Sequence, residues 1–423
     1  MKKITKIKSI LITLGIIFVL FILINANFSD YQWKIYENSE SINEFKLKRA
    51  DYLNLTGSPI YINGNDDWAL IADTEEWCSG SGTVNDPFVI QKVLIDGERS
   101  GYCITITNSD VYFIIKNCII YNSTYGISLE NVKNGKLIGD IHSYSNDNGI
   151  HLIQCHNIII TGNRVDNNNH WGIVLGLSNN NIISENLIIN NELDGIYFFQ
   201  TCYNNIISKN KIINNKQQGI DISVSSNENM ILRNIVENNE IGIEIWRSNN
   251  NYISENSVDG NNWIGIWIAS SDSNNITRNN VKNNEDGISL INSKNNNISE
   301  NIISSNSYFG CFIVEANCTN NLIYRNCFEK NQYNADDSGL NNKWDNGTIG
   351  NYWDDYEGED ANDDGIGDTP YYIQTGSQDH FPLMKCPIPM EKDETVIPGY
   401  ILFILLGMLS VVSIILINKE MKK

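Results

Sequence analysis

Between Cys103 and Asn331 one short pattern of apolar and polar positions recurs. Gly followed by an apolar residue stands at Gly126, Gly149, Gly172, Gly195, Gly219, Gly242, Gly265, Gly287 and Gly310, at steps of 22 to 24 residues. The first and third positions after each Gly are apolar, as in Ile127 and Leu129, Ile243 and Ile245, or Ile266 and Ile268. Period-two alternation predicts a strand that turns both columns to a core. A second strand follows, such as Asn181-Ile182-Ile183-Ser184, and ends on a column of Asn163, Asn186, Asn210, Asn234, Asn256, Asn279, Asn301 and Asn326. A third run, such as Leu187-Ile188-Ile189, leads into paired Asn before the next Gly.

Three short strands per period exclude a leucine-rich repeat and a helical solenoid. They predict an all-β chain, a single-stranded right-handed parallel β-helix of about ten rungs stacked ~4.8 Å apart. Stacking sets like on like, so Ile columns fill the interior. Asn columns at the turns hydrogen-bond along the stack, and Asn and Gly tolerate the left-handed turn conformation. The Asn are therefore read as architecture. Open ends need caps, which divides the chain into an N-terminal cap at 29–85, a β-helix at 86–331, an acidic C-terminal cap at 332–387 and a linker at 388–398.

Composition adds a charge of −20 over 423 residues, which argues against nucleic acid as a partner. Lys2, Lys3, Lys6 and Lys8 before an apolar run predict a signal peptide or N-terminal signal anchor over residues 1–28. Tyr400 to Ile417 predicts a transmembrane helix over 399–418, followed by Lys419, Lys422 and Lys423. Lys at both ends places the middle of the chain outside the cell membrane. Nine Cys form neither a Cys-x-x-Cys pair nor a zinc pattern, and outside the cell disulfides are permitted.

The rungs resemble the parallel β-helix repeats of the pectate-lyase-like and NosD-like families. Ser79-Gly80-Ser81-Gly82-Thr83, continuing to Asp86-Pro87-Phe88, resembles their entry into the helix. Gly350-Asn351-Tyr352-Trp353-Asp354-Asp355-Tyr356, Asp363-Asp364-Gly365-Ile366-Gly367-Asp368-Thr369-Pro370-Tyr371 and His380-Phe381-Pro382-Leu383-Met384 are similar to the C-terminal block of NosD-like proteins. Ile397-Pro398-Gly399-Tyr400 resembles the anchor of archaeal surface proteins. The resemblance implies a β-helix outside the cytoplasm and, through NosD itself, copper handling. Copper needs clustered Cys, Met or His, and here five His and nine Cys are scattered.

The second column after each Gly faces outward: Ser128, His151, Val174, Tyr197, Asp221, Glu244, Trp267, Ser289 and Phe312. Phe199 and Trp246 lie two residues further along, and Trp171, Asp194 and Asp286 precede their Gly. Aromatic faces beside carboxylates suit sugar rings, so Tyr197, Phe199, Trp246 and Trp267 are ligand-binding candidates. Asp221 and Glu244, one rung apart, are candidate catalytic carboxylates of a glycan hydrolase or lyase. The polygalacturonase motifs of similar folds are missing, and any two acids in one column share this spacing. Asp360, Asn362, Asp364 and Asp368 follow the spacing of a calcium loop, with Asp354 or Asp355 as a further ligand.

The sequence thus predicts a membrane-anchored protein that binds carbohydrate or cell-envelope glycan, or acts in adhesion, without catalysis. The alternatives are a glycan hydrolase or lyase using Asp221 and Glu244, and a NosD-like copper factor.

Overall fold

The computed structural model describes residues 52–388 apart from positions 100 and 140. The expected signal segment at 1–28 and the expected transmembrane helix at 399–418 lie outside the described residues. Among the described residues no helix is long and apolar enough to cross a membrane. The chain divides into two compact units, residues 1–206 and 207–423.

Each unit is a parallel β-solenoid whose coils contribute one strand to each of three sheets. The strand that begins at the Gly step forms what we call the front sheet. In the first unit its strands are Ile60–Asn63, Tyr102–Ser109, Tyr125–Val132, Asn148–Ile153, Ile173–Gly176 and Ile196–Gln200, paired in that order. In the second they are Gln218–Ser223, Ile241–Trp246, Ile264–Ala269, Asp286–Ile291, Phe309–Val314 and Tyr333–Asp337. The register is the one alternation demands: Ile220 lies beside Ile243, Ile243 beside Ile266, and Ile266 beside Ile288. All four are 0% exposed, so the Ile columns are the core.

The turns carry three Asn columns, where the sequence pattern singled out one. In the second unit the backbone N–H and side-chain amide of Asn234 both donate to Asn256 Oδ1, at 2.9 and 3.0 Å. Asn256 does the same to Asn279 at 3.0 and 2.9 Å. Parallel ladders run through Asn229, Asn251, Asn274 and Asn296, and through Asn239, Asn261, Asn284 and Asn306. These residues are at most 2% exposed, where an unpaired amide is costly, and of those named only the Asn251 side-chain nitrogen lacks a partner among the described residues. The left-handed conformation belongs to the residue before each of them. Asn238 (φ 56°) and Asn283 (φ 57°) precede two ladder Asn, but Arg233, Glu255, Arg278 and Glu300 hold the same conformation before others. Tolerance of positive φ therefore explains the first Asn of a pair, and hydrogen bonding explains the second. The charged ones pair outside the ladder, Arg233 with Glu255 at 2.6 Å and Arg278 with Glu300 at 2.8 Å.

Aromatic rings close the core in both units. In the first, the helix Asn65–Thr74 lays Trp68 against Phe88 and Phe113, both at 5.2 Å, while Trp68 Nε1 donates to Ser109. Gly80 in the entry motif is forced: a Cβ there would meet the Pro87 carbonyl oxygen at 2.0 Å. In the second, Phe328, Trp353 and Tyr371 stack at 4.4 and 4.2 Å.

The ladders also explain the acidic C-terminal block. Every rung donates toward the next, so the last rung leaves donors that need an acceptor-only group. Asn351 donates its N–H to Asp379 at 2.7 Å, and Asn342 its amide to Asp337 at 2.9 Å. Asn334 donates to Asp354 and Asp355 at 3.0 and 2.8 Å. Trp344 and Trp353 add their indole N–H groups to Asp337 and Asp379. A Cys327–Cys386 disulfide ties the end of the block to a rung.

Candidate functional site

The front sheet of the second unit brings Asp221, Glu244 and Trp267 into one outward column. Asp221 pairs in register with Glu244, and Glu244 with Trp267. Trp246 lies two residues beyond Glu244, in register with Ser223 and Ala269. Tyr197 and Phe199 belong to the first unit, so the six residues form two groups.

Outward does not mean exposed here. Asp221 and Glu244 are 8% and 7% exposed. Gln218, just before Gly219, donates its amide to Glu244, and Ser223 donates its hydroxyl to Asp221. Burial pushes the Glu244 carboxyl above the ordinary range, and the Gln218 amide offsets part of that rise. Asp286, in the column before Gly287, is likewise raised by burial, against the Phe309 N–H that it accepts at 3.1 Å. Among the described residues no cation pairs with Glu244 or Asp286.

Around these acids lie aromatic rings of differing exposure. Trp263 is 42% exposed and tilts against Trp267 with centroids 5.5 Å apart. Trp246 is half-buried, with the Arg247 guanidinium 4.4 Å from its ring centroid, so one indole face is taken. Tyr308 and Tyr333, 43% and 39% exposed, continue the surface. Gln218, Ser223, Trp263, Tyr308 and Tyr333 escaped sequence reasoning. The position before the Gly had shown Trp171, Asp194 and Asp286, and following that column further would have found Gln218. In the first unit Tyr197 stacks on Trp171 at 5.5 Å and lies 6.0 Å from Phe199, which covers Gly176.

Asp360, Asn362, Asp364 and Asp368 do meet on one loop, but their oxygens face its own backbone. Asp360 accepts from Asp364 N and Gly365 N at 3.1 and 2.8 Å, Asn362 from Asp364 N at 3.2 Å, Asp364 from Ile366 N at 2.9 Å, and Asp368 from Ala361 N at 2.8 Å. Asp354 and Asp355 are held by Asn334. Among the described residues no group of three or more His, Cys, Asp or Glu is gathered as a metal site requires. A depression of about 410 Å³ lined by Thr348, Asp364, Asp368 and His380 lies beside this loop.

Residues 102–258 match the family described as the right-handed β-helix region, and residues 217–358 match the family described as periplasmic copper-binding protein (NosD). The chain is a β-helix repeat protein. No curated protein matches it. Among solved structures it is similar to the A-module of mannuronan C-5 epimerase AlgE6 of Azotobacter vinelandii. The two are 14% identical with a TM-score of 0.54, over 71% of this chain and 91% of that one. The A-module of mannuronan C-5 epimerase AlgE4 of the same organism is similar at 13% identity and TM-score 0.52, over 70% and 91%. At such identities the likeness is one of fold. The donors do not fit copper: the segment matching NosD contains no His, and its Cys311 and Cys318 are buried thiols while Cys327 is in the disulfide.

Proposed function

We propose that this protein binds carbohydrate through the outward aromatic face of its front sheet, without catalysing a reaction. The observation that carries the reading is the exposed Trp263 against the half-buried Trp267, with Trp246 also half-buried on the same sheet, set against buried Glu244 and Asp221. Indole faces stack on the apolar faces of sugar rings, and neighbouring carboxylates and amides accept or donate to hydroxyls. The A-modules of similar fold belong to mannuronan C-5 epimerases, named for a polysaccharide, which accords with this class of ligand. Retention on immobilised polysaccharide tests the reading: Trp267→Ala or Trp246→Ala weakens it, and Asp221→Asn leaves it unchanged.

A second reading, a glycan hydrolase or lyase, rests on Glu244, whose raised carboxyl suits a general acid, with Asp221 one rung away. It predicts chain shortening that Asp221→Asn abolishes without lowering the melting temperature. Our reading places the β-helix outside the cytoplasm, anchored through the apolar run at 399–418. The Cys327–Cys386 disulfide and the periplasmic description of the NosD family support the location. For the loop of Asp360, Asn362, Asp364 and Asp368, calcium is a structural occupant to be tested. A melting temperature that rises in millimolar calcium and falls with chelator supports it, and indifference to both removes it.

A further inference from the structure

The front sheet of the first unit carries a surface of different chemistry. Tyr102 stacks on Tyr125 at 5.6 Å, and the His151 ring lies 4.7 Å from Tyr125. Between Tyr125 and Trp171, in the column before the Gly, stands Asn148, in register with Tyr125. Asn148 is 6% exposed, and its carbonyl oxygen accepts no hydrogen bond among the described residues. Thr105, 5% exposed on the same face, has an unpartnered hydroxyl as well. Buried amide oxygens are almost always satisfied, by protein or by something bound. His151 makes no hydrogen bond among the described residues, and burial lowers its pKa to about 4, so its ring is uncharged at neutral pH. Asp194, next after Trp171 in the column before the Gly, accepts from Trp171 Nε1 at 3.0 Å.

We infer that Tyr125, Asn148, His151 and Trp171 form a glycan subsite that selects uncharged sugars. Asn148 stands in the column between Tyr125 and Trp171, so a hydroxyl of a sugar bound along this column would supply the donor that its oxygen lacks. The uncharged imidazole offers one donor and one acceptor to further hydroxyls. No Lys or Arg stands at these positions to compensate a uronate carboxylate, and Asp194 repels one. The specificity therefore differs from that of the mannuronan epimerases of similar fold, whose substrate is a polyanion. The inference rests on the carbohydrate reading above and assigns a second place and a class of sugar.

The test is affinity electrophoresis of the full-length chain in gels containing dextran (neutral), chitosan (cationic) or alginate (anionic). The chain is to be retarded by dextran and not by alginate. Asn148→Ala and, separately, Tyr125→Ala are to weaken the dextran retardation about tenfold, the size of one lost hydrogen bond or ring contact. Melting temperatures confirm that each variant is folded, and Tyr125→Ala serves if Asn148→Ala is not. Alginate retardation equal to dextran overturns the inference. So does dextran retardation that Trp267→Ala removes and Asn148→Ala and Tyr125→Ala do not, which leaves the carbohydrate reading standing. Retardation by none of the three overturns both.

Discussion

Along the turns, Asn234, Asn256 and Asn279 hand hydrogen bonds from rung to rung until Asp379 ends the series. On the front sheet Asp221, Glu244 and Asp286 stand in columns just as regular, yet the groups that hold them are unlike one another: Ser223 two residues on, Gln218 from the rung before and the Phe309 N–H from the rung after. The turn columns close on themselves, and the like neighbour is the partner. The front columns change identity at each rung, from Gln to Ile to Asp or from Glu to Trp, so a neighbour satisfies the next only where the pair happens to match, as Trp171 does with Asp194. A solenoid makes columns wherever it coils. What separates scaffold from surface is whether a column satisfies itself.

The largest effect expected from breaking this contrast is in a ladder. Asn256→Leu leaves the Asn234 amide, the Ile231 carbonyl and Asn279 Oδ1 short of partners inside the stack. Urea unfolding is expected to show a loss of about 3–5 kcal/mol. A loss below about 1 kcal/mol would mean that the ladders are ornament.

Next comes the covalent tie at the end of the ladders. Cys386→Ser opens a loop with sequence separation 59. It is expected to cost about 2–4 kcal/mol in the same measurement under non-reducing conditions, and nothing when both forms are reduced.

The ladder's terminal carboxylate gives a pH signature. Burial raises Asp379 from 3.8 to about 6, against the N–H groups of Asn351, Trp353 and Phe381. The native state thus holds a proton that the unfolded chain has released between those values. The contribution is complete below about pH 4 and is lost as pH rises through about 6, by at most about 3 kcal/mol. Asp379→Asn should flatten that part of the stability curve. It should also lower stability throughout, because the Asp379 oxygens accept from Phe381 N on one side and Asn351 N on the other, and an amide supplies one acceptor only.

The smallest stability change belongs to the open face. Trp267→Ala should move the unfolding free energy by no more than about 1 kcal/mol while reducing polysaccharide retention about tenfold. A large stability loss with unchanged retention would place Trp267 with the scaffold.

The Gly-Ile period and the Asn163 to Asn326 column made the β-helix legible, because each residue meets its own counterpart one period later. Two things escaped that reasoning. Spacing does not say which Asn of a pair turns the chain and which is buried, since that depends on the conformation of residues such as Asn238 and Asn239. Nor does an outward position say how exposed a side chain is. Asp221 and Glu244 were legible as neighbours, but their burial by Ser223 and Gln218 depends on rotamers and on the column before the Gly. The acidic cap was legible as a motif and as calcium spacing, while its role as acceptor for three ladders needed the direction of every hydrogen bond.

The central claim is most directly tested by incubating the purified full-length chain with a panel of polysaccharides and following retention and chain length in the same samples. The account predicts retention with no shortening, weakened by Trp267→Ala and untouched by Asp221→Asn. Shortening that Asp221→Asn abolishes would contradict it and make the front sheet an active site.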